Sequence, residues 1–156
     1  AEKPAKIESS NAYILTYFLG NHTERIEADL HSIAKKNDLN IYNLNDISQP
    51  DLYISGPSEF IYLISKASLI LTDSFHACVF SFLFEKPFLV YAREGKENNM
   101  MSRINTFLKT FHLERKYVDS GLENNLFEAD YKDGYKQLTI EREKALNFLR
   151  KSMNIE

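Results

Sequence analysis

The residue types best suited to chemistry are concentrated in one short segment, TDSFH at positions 72–76. An apolar run at 69–71 comes before it, and residues 75–84 are apolar almost all the way round. Thr, Asp and Ser are residue types that begin helices, so His76 should lie on the first turn of a helix. A helix start offers free N–H groups to an anion, and an imidazole gains or loses its proton near neutral pH. Residues 73–76 are therefore predicted to form a surface that binds an anion and transfers a proton.

Each polar residue of this segment also has a purely structural interpretation. Asp73 and Ser74 are capping residues by type, and a cap stabilises a helix by about 1 kcal/mol without contacting a ligand. His76 could equally be a helix-start histidine satisfied by a neighbour. As a site residue it would act as a general acid or base, or as a donor to the anion. A bound anion or Asp73 would favour its protonated form, which the positive end of the helix disfavours.

Two arginines downstream are candidates for the positive charge that an anion requires. Arg93 directly follows a predicted strand at 88–91, so it should emerge at the edge of the sheet beside the TDSFH turn. Arg103 begins the next predicted helix, where the dipole disfavours a cation, and this misfit favours contact with an anion. The alternative for both is a solvated surface cation, and Glu94 would pair with either arginine or with His76.

Several familiar kinds of site are missing from the sequence. Gly20 stands outside any GxGxxG or P-loop pattern, so a standard dinucleotide or ATP site is not expected. His22, His31 and His112 lack metal-ligand spacing, and there is no CxxC, HExxH or carboxylate cluster, so no metal site is predicted. Cys78, the single cysteine, lies in an apolar stretch and is interpreted as a small buried residue.

The elements that must position these residues alternate along the chain. Strands are predicted at short apolar runs rich in aromatic and branched residues: 12–19, 39–44, 51–54, 69–71, 88–91 and 116–118. Helices are predicted where apolar residues recur at helical spacing: 24–37 with Thr23 as its cap, from 57 onward, 75–84, 103–111 and 138–153. Residues 92–102 are predicted to form a mobile loop over a site, and 119–134 to be irregular. Six aromatic residues are interpreted as core: Tyr13, Tyr17, Phe75, Phe80, Phe82 and Phe84.

Alternation of strands and helices predicts an α/β fold with a doubly wound, Rossmann-like parallel sheet. In that fold, ligands bind where the strand order reverses, at the carboxyl ends of the strands. The turn after the first strand should then face the TDSFH turn across one crevice. This arrangement would bring Gly20, Asn21 and His22 opposite Asp73, Ser74 and His76.

Size and composition limit the classes of function. A chain of 156 residues with 44% hydrophobic residues can form one domain, assigned to 12–156, after a polar linker or disordered end at 1–11. The net charge of −3 and the scattered basic residues exclude a nucleic-acid interface on electrostatic grounds. No apolar run approaches the length of a membrane span, and the single cysteine fits a reducing compartment.

The central sequence resembles the C-terminal half of the polysaccharide pyruvyl transferases. The resemblance covers about residues 13–118 and is carried by GPSEFIYLISKASLILTDSFHACVFSFLFEKPFLVYAREG, followed by RINTFLKTFHL. Its specific part is an apolar strand, T-D-S-F-H, an apolar helix, K-P-F and a second strand. The family is similar in architecture to two-lobed glycosyltransferases, so the resemblance implies that this chain is the C-terminal lobe of a longer protein.

The resemblance also implies a reaction: transfer of pyruvate from phosphoenolpyruvate to two hydroxyls of a sugar, which forms a ketal. His76 would be the acid or a donor to phosphoenolpyruvate, and the helix start at Asp73, Ser74 and Phe75 would hold its phosphate or carboxylate. No cofactor is expected beside this donor. The acceptor would be a sugar or a lipid-linked oligosaccharide of capsule or exopolysaccharide synthesis. The location would be the bacterial cytoplasm, or the periphery of the inner membrane.

One position departs from the family pattern. Many members carry an arginine two residues before the histidine, and this chain has Ser74 there. The positive charge would have to come from Arg93, from Arg103 or from the other lobe, or the donor would differ.

Two other functions remain open at this stage. A nucleotide-sugar glycosyltransferase would use the same scaffold. It needs a wider crevice in which the base can stack, and it often needs a carboxylate that binds the ribose. Glu94 is the one candidate for that carboxylate. A non-catalytic binding or assembly module would instead fill its crevice with its own side chains. With half of the cleft missing, the chain alone is expected to have negligible turnover.

Overall fold

The computed structural model describes residues 12–93, 98–120 and 126–153. The predicted linker at 1–11 lies outside these ranges, as do parts of the two segments predicted to be loops. Four strands are present in the described ranges: β1 (Tyr13–Tyr17), β2 (Asn40–Asn43), β3 (Leu69–Thr72) and β4 (Phe88–Val90). They alternate with six α-helices: α1 (Glu24–Asn37), α2 (Pro50–Tyr53), α3 (Pro57–Lys66), α4 (Phe75–Leu83), α5 (Asn98–Thr110) and α6 (Lys132–Ser152). Two short 3-10 helices at Glu114–Lys116 and Val118–Ser120 follow α5.

The strands form one parallel sheet in the order β2-β1-β3-β4, which confirms the predicted α/β class with a doubly wound sheet. Chain order runs outward in both directions from the β1–β3 pair, so the strand order reverses between these two strands. The crossover into β2 therefore packs on one face of the sheet and the later crossovers on the other. The carboxyl ends of β1 and β3 are the place where such a sheet binds ligands.

Alternate side chains of the central strands supply the cores on the two faces. On one face, Ile14 and Leu71 pack with α1 through Ile26 and Leu30. On the other, Leu15 and Ile70 join a larger core with α3, α4 and α5. Period-2 alternation with both faces buried is what a central parallel strand requires.

Two predicted strands do not form. Residues 51–54 were expected to be extended, but Pro50 occupies the first turn of α2, where its fixed φ favours a helix, and only Leu52 of this helix is buried. Residues 116–118 contribute a single parallel bridge, between Val90 and Tyr117, and the chain is otherwise in 3-10 turns there. The sheet thus has four strands in the described ranges rather than six.

Two helices begin earlier than the sequence indicated. The segment from Asn98 is helical although 92–102 was predicted to be a loop, and Arg103 consequently lies within α5 rather than at its start. The last helix starts at Lys132, not 138. Gly134 in its first turn packs closely on the core, since a Cβ there would lie 2.9 Å from Phe111 O and from a ring atom of Phe82. Phe84 is 37% exposed, so its assignment to the core was wrong, whereas Phe82 is buried.

Candidate functional site

The carboxyl ends of β1 and β3 are joined by the side chain of Asp73. Its Oδ1 accepts a hydrogen bond from Leu19 N at 2.7 Å, and its Oδ2 accepts one from Gly20 N at 2.8 Å. The structural interpretation of Asp73 as a cap for its own helix was therefore wrong, because the carboxylate instead holds the turn that follows β1. The predicted meeting of the two turns is confirmed by these bonds.

Gly20 is part of this arrangement because the two turns approach closely. A Cβ at position 20 would lie 2.9 Å from Asp73 Oδ2 and 3.1 Å from Cγ of Arg93. Asn21, the next residue, is exposed. His22 turns away toward α1, where its Nδ1 lies 2.5 Å from Glu27 and its ring packs on Phe18. Of these three residues, Gly20 is bonded to the segment 73–76 through its backbone N–H, which donates to Asp73.

Arg93 emerges beside the TDSFH turn, as the sequence predicted, and forms an ion pair with Asp73. Its Nε lies 2.8 Å from Asp73 Oδ2, and its Nη2 donates to the backbone oxygen of Asp73 at 3.2 Å. Both side chains are almost fully buried, at 6% and 4% exposure. The guanidinium charge of Arg93 is thus largely balanced within the protein.

Ser74 occupies the N-cap position of α4 without capping it. Its backbone N–H donates to Thr72 Oγ1 at 2.9 Å, and its φ and ψ of −95° and 127° are those of an extended residue. Its own hydroxyl is buried, at 1% residue exposure, and has no hydrogen-bond partner among the described residues. A buried hydroxyl in this state carries a desolvation cost of about 1–3 kcal/mol until a ligand or water satisfies it. The first N–H groups of a helix also lack intrahelical acceptors, so this end of α4 has donors to offer.

His76 lies on the first turn of α4 with an exposed side chain. Its ring meets the ring of Phe75 edge to face, with centroids 5.8 Å apart. The imidazole is therefore presented at the surface rather than enclosed by hydrocarbon side chains.

A second cation lies near this turn. The guanidinium carbon of Arg103, from α5, is 4.5 Å from the centroid of Phe75, whose ring also packs on Phe107. Because Arg103 is in the interior of α5, the predicted clash with the start of a helix dipole does not exist. The exposed guanidinium instead stacks on the residue next to His76, which places a positive charge beside the start of α4.

An open groove of about 610 Å³ runs from this turn across the face that carries α3 and α4. Ser74 and His76 from the α4 turn line it, together with the aromatic side chains of Phe60 and Phe80. Tyr17 and Phe80 were assigned to the core from sequence, but both are half-buried and border this groove. The helix from Pro57 was predicted, but the part of the groove formed by α2 was missed because 51–54 was taken for a strand. Pro50, at the start of α2, was the available signal for a helix there.

In the described ranges, no group of three or more His, Cys, Asp or Glu side chains is arranged to hold a metal ion. The thiol of Cys78 is buried, and burial raises its pKa, so it stays protonated near neutral pH.

A family model described as polysaccharide pyruvyl transferase matches residues 3–95. The match covers more than half of the chain and includes the TDSFH turn and α4. This chain belongs to the polysaccharide pyruvyl transferase family. Membership of this family indicates a transferase. The matched region contains Ser74, His76 and Arg93, whereas Arg103 lies beyond it.

Comparison with curated proteins gave no match, and neither did comparison with solved structures. None of the helices in the described parts of this pyruvyl transferase family member is long and apolar enough to cross a membrane.

Proposed function

We propose that this chain binds the donor in a pyruvyl transfer reaction, in which pyruvate passes from phosphoenolpyruvate to two hydroxyls of a sugar and forms a ketal. One observation carries the proposal: at the start of α4, an exposed imidazole, His76, lies beside a buried hydroxyl of Ser74 without a partner in the described chain. Family membership supports the reaction class. The acceptor would be a sugar of a cell-surface polysaccharide or its lipid-linked precursor.

The donor's anionic groups fit the start of α4. Phosphoenolpyruvate carries a phosphate and a carboxylate, and the first-turn N–H groups together with the positive end of the helix favour such groups. Ser74 Oγ would gain the hydrogen bond that it lacks among the described residues. Arg103, stacked on Phe75, would supply positive charge from the side of α5.

Arg93 would act indirectly. Because its guanidinium is bonded to Asp73, it would fix the turn rather than bind the donor. This assignment explains how the site can work with Ser74 in place of the arginine that many family members carry: Arg103 and the helix start would share the charge between them.

In the proposed reaction His76 donates its proton to the methylene carbon of phosphoenolpyruvate, and positive charge develops at the neighbouring carbon. A sugar hydroxyl attacks that carbon and releases its proton to the neutral imidazole. The bond between that carbon and the phosphate oxygen then breaks, and phosphate leaves with the electron pair. The second sugar hydroxyl attacks the same carbon and gives its proton to the departing phosphate. The products are the ketal and inorganic phosphate, and the hydrogen-bond donors at α4 stabilise the departing phosphate.

Titration calorimetry with phosphoenolpyruvate tests the donor site. His76→Ala should weaken binding about tenfold or more, since a hydrogen bond to a charged group is lost. Arg103→Gln should weaken it about threefold to tenfold. The control is His31→Ala, which removes an exposed imidazole on α1 that lies near Glu27. Equal affinity of wild type and His76→Ala, or tight selective binding of a nucleotide sugar instead, would reject the proposal.

We further propose that turnover requires a second lobe, as in the two-lobed architecture that the family resemblance implies. The 156-residue chain alone should then bind phosphoenolpyruvate without forming ketal. Carbon NMR of the purified chain with donor and sugar tests this point, and ketal signals would contradict it.

A further inference from the structure

The groove beside His76 is larger than a small trianion needs. Its volume of about 610 Å³ lies in the range of sites that enclose whole drug-sized ligands. A donor held at the start of α4 would occupy only the part of the groove next to Ser74 and His76. The remainder of the groove has room for a second ligand.

The wall of this groove is aromatic. Phe60 is central to it, with its ring 5.2 Å from that of Tyr17 and 6.2 Å from that of Phe80, both edge to face. Tyr53 and Pro57 continue the surface, and Tyr53 is 54% exposed. Such a surface suits a ligand that offers an apolar face, either the C–H face of a sugar ring or the π-face of a base.

The polar groups of the groove are uncharged apart from His76. Among the described residues that line it there is no Lys, Arg, Asp or Glu. The groove therefore lacks a carboxylate of the kind that commonly binds the ribose of a nucleotide. Hydroxyl and amide groups are present instead. They both donate and accept hydrogen bonds, as the hydroxyls of a neutral sugar do.

Two of these hydroxyls have no hydrogen-bond partner among the described residues. Ser55 Oγ, in the turn between α2 and α3, is buried and makes no hydrogen bond to any described residue, and Ser74 Oγ is in the same state. Both residues line the groove together with its aromatic side chains. Asn45 lines it as well, with its Oδ1 already accepting from Phe18 N at 3.1 Å.

We propose that this groove is the acceptor subsite: it binds the pyranose ring of the acceptor sugar, with Phe60 against the ring's C–H face and Ser55 bonded to a sugar hydroxyl. The inference rests on the proposed function for the identity of the donor beside it. It adds that donor and acceptor sugar bind side by side on this one domain, since Ser74 and His76 border the groove. An attacking hydroxyl would thereby lie next to the carbon that His76 activates.

Saturation-transfer NMR with the methyl glycosides of glucose, galactose and mannose tests the subsite on the full 156-residue chain. At least one glycoside should receive saturation at its ring C–H protons. Phe60→Leu should weaken that binding about twofold to tenfold, because the ring contact is lost while apolar volume remains. The matched control is Phe148→Leu, which alters an exposed phenylalanine on α6 and should change nothing.

A second variant distinguishes a specific loss of sugar binding from a folding defect in Phe60→Leu. Ser55→Ala removes a hydroxyl with no described partner, so the fold loses no hydrogen bond there while the sugar affinity should fall about threefold to tenfold. Phosphoenolpyruvate affinity should stay within about twofold of wild type in both variants. His76→Ala should show the opposite pattern, with weaker donor binding and retained glycoside binding.

The outcomes separate the two proposals. Donor binding that depends on His76, with no saturation of any glycoside, would overturn the acceptor subsite alone. Glycoside binding that depends on Phe60, with no donor binding, would overturn the proposed donor site while keeping the sugar subsite. Saturation of uridine or adenosine that is lost in Phe60→Leu, without glycoside binding, would overturn both in favour of a base-stacking groove.

Discussion

Replacing Asp73 by asparagine should test whether this carboxylate holds the site together. Oδ1 and Oδ2 accept from two backbone N–H groups, and Oδ2 also accepts from Arg93. An amide keeps one accepting oxygen and presents an NH₂ group where Gly20 N–H and Arg93 donate. Asp73→Asn therefore places N–H donors opposite one another and removes the negative charge of the carboxylate with which the nearly buried guanidinium pairs.

Removal of one partner from a buried ion pair costs about 3–5 kcal/mol. For a chain of this length, 1 kcal/mol corresponds to about 2–4 °C in the unfolding midpoint, so the midpoint should fall by about 6–20 °C. Urea unfolding followed by circular dichroism measures the free energy directly. Asp133→Asn is the matched control, because that carboxylate pairs with Lys136 on the surface and should change stability by at most about 1 kcal/mol.

Arg93→Met separates the ion pair from the backbone bonds. It leaves Asp73 with its two N–H donors, so its loss of stability should be smaller than that of Asp73→Asn. A loss below about 1 kcal/mol for Asp73→Asn, or one no larger than that of Asp133→Asn, would refute the reasoning.

The remaining predictions concern packing and pH. Gly20→Ala should lower the free energy of unfolding by about 1–3 kcal/mol, since its Cβ would press on Asp73 and Arg93. Gly56→Ala is the control, because its Cβ would meet the end of the Glu59 side chain, and its free energy of unfolding should stay within about 1 kcal/mol of wild type in the same urea experiment. Burial lowers the pKa of Lys116 to about 8, below its value in the unfolded chain. Above about pH 8 the unfolded state therefore holds more protons than the folded state. The free energy of unfolding should rise between about pH 8 and pH 10 as a result. Unfolding free energies of wild type and Lys116→Met across this range check the sign, and a rise that persists in the variant would contradict it.

The sequence predicted the part of the fold that local patterns determine. The segments around 69–72, 75–83 and 88–90 combine apolar runs with residues that start helices or, like Pro87, cannot continue them. Their order along the chain then implies a parallel sheet, and the rule for strand reversal brings the turn after β1 to the turn after β3. The hydrogen bonds from Leu19 and Gly20 to Asp73 confirm that meeting.

The sequence failed where an assignment depends on a distant partner. Asp73 looks like a cap because its neighbours look like a helix start, but its partners lie 53 and 54 positions earlier in the chain. Residues 51–54 are too short for periodicity to distinguish a strand from one helical turn, and Pro50 decides for the helix. Phe80 was assigned to the core because an apolar helix does not reveal which of its sides lies at a groove.

The pairing of Arg93 has a consequence for how this site can bind an anion. Arg93 would be the obvious replacement for the arginine that the family resemblance implies at position 74, but its charge is balanced by Asp73 inside the protein. In the proposed donor site, the attraction for the anion would then come from the start of α4, from His76 and from the guanidinium of Arg103. These groups are closer to solvent than a buried arginine would be, so salt should screen them more effectively. Donor affinity should therefore fall with ionic strength more steeply in the wild type than in Arg103→Gln, and equal salt dependence would remove Arg103 from the site.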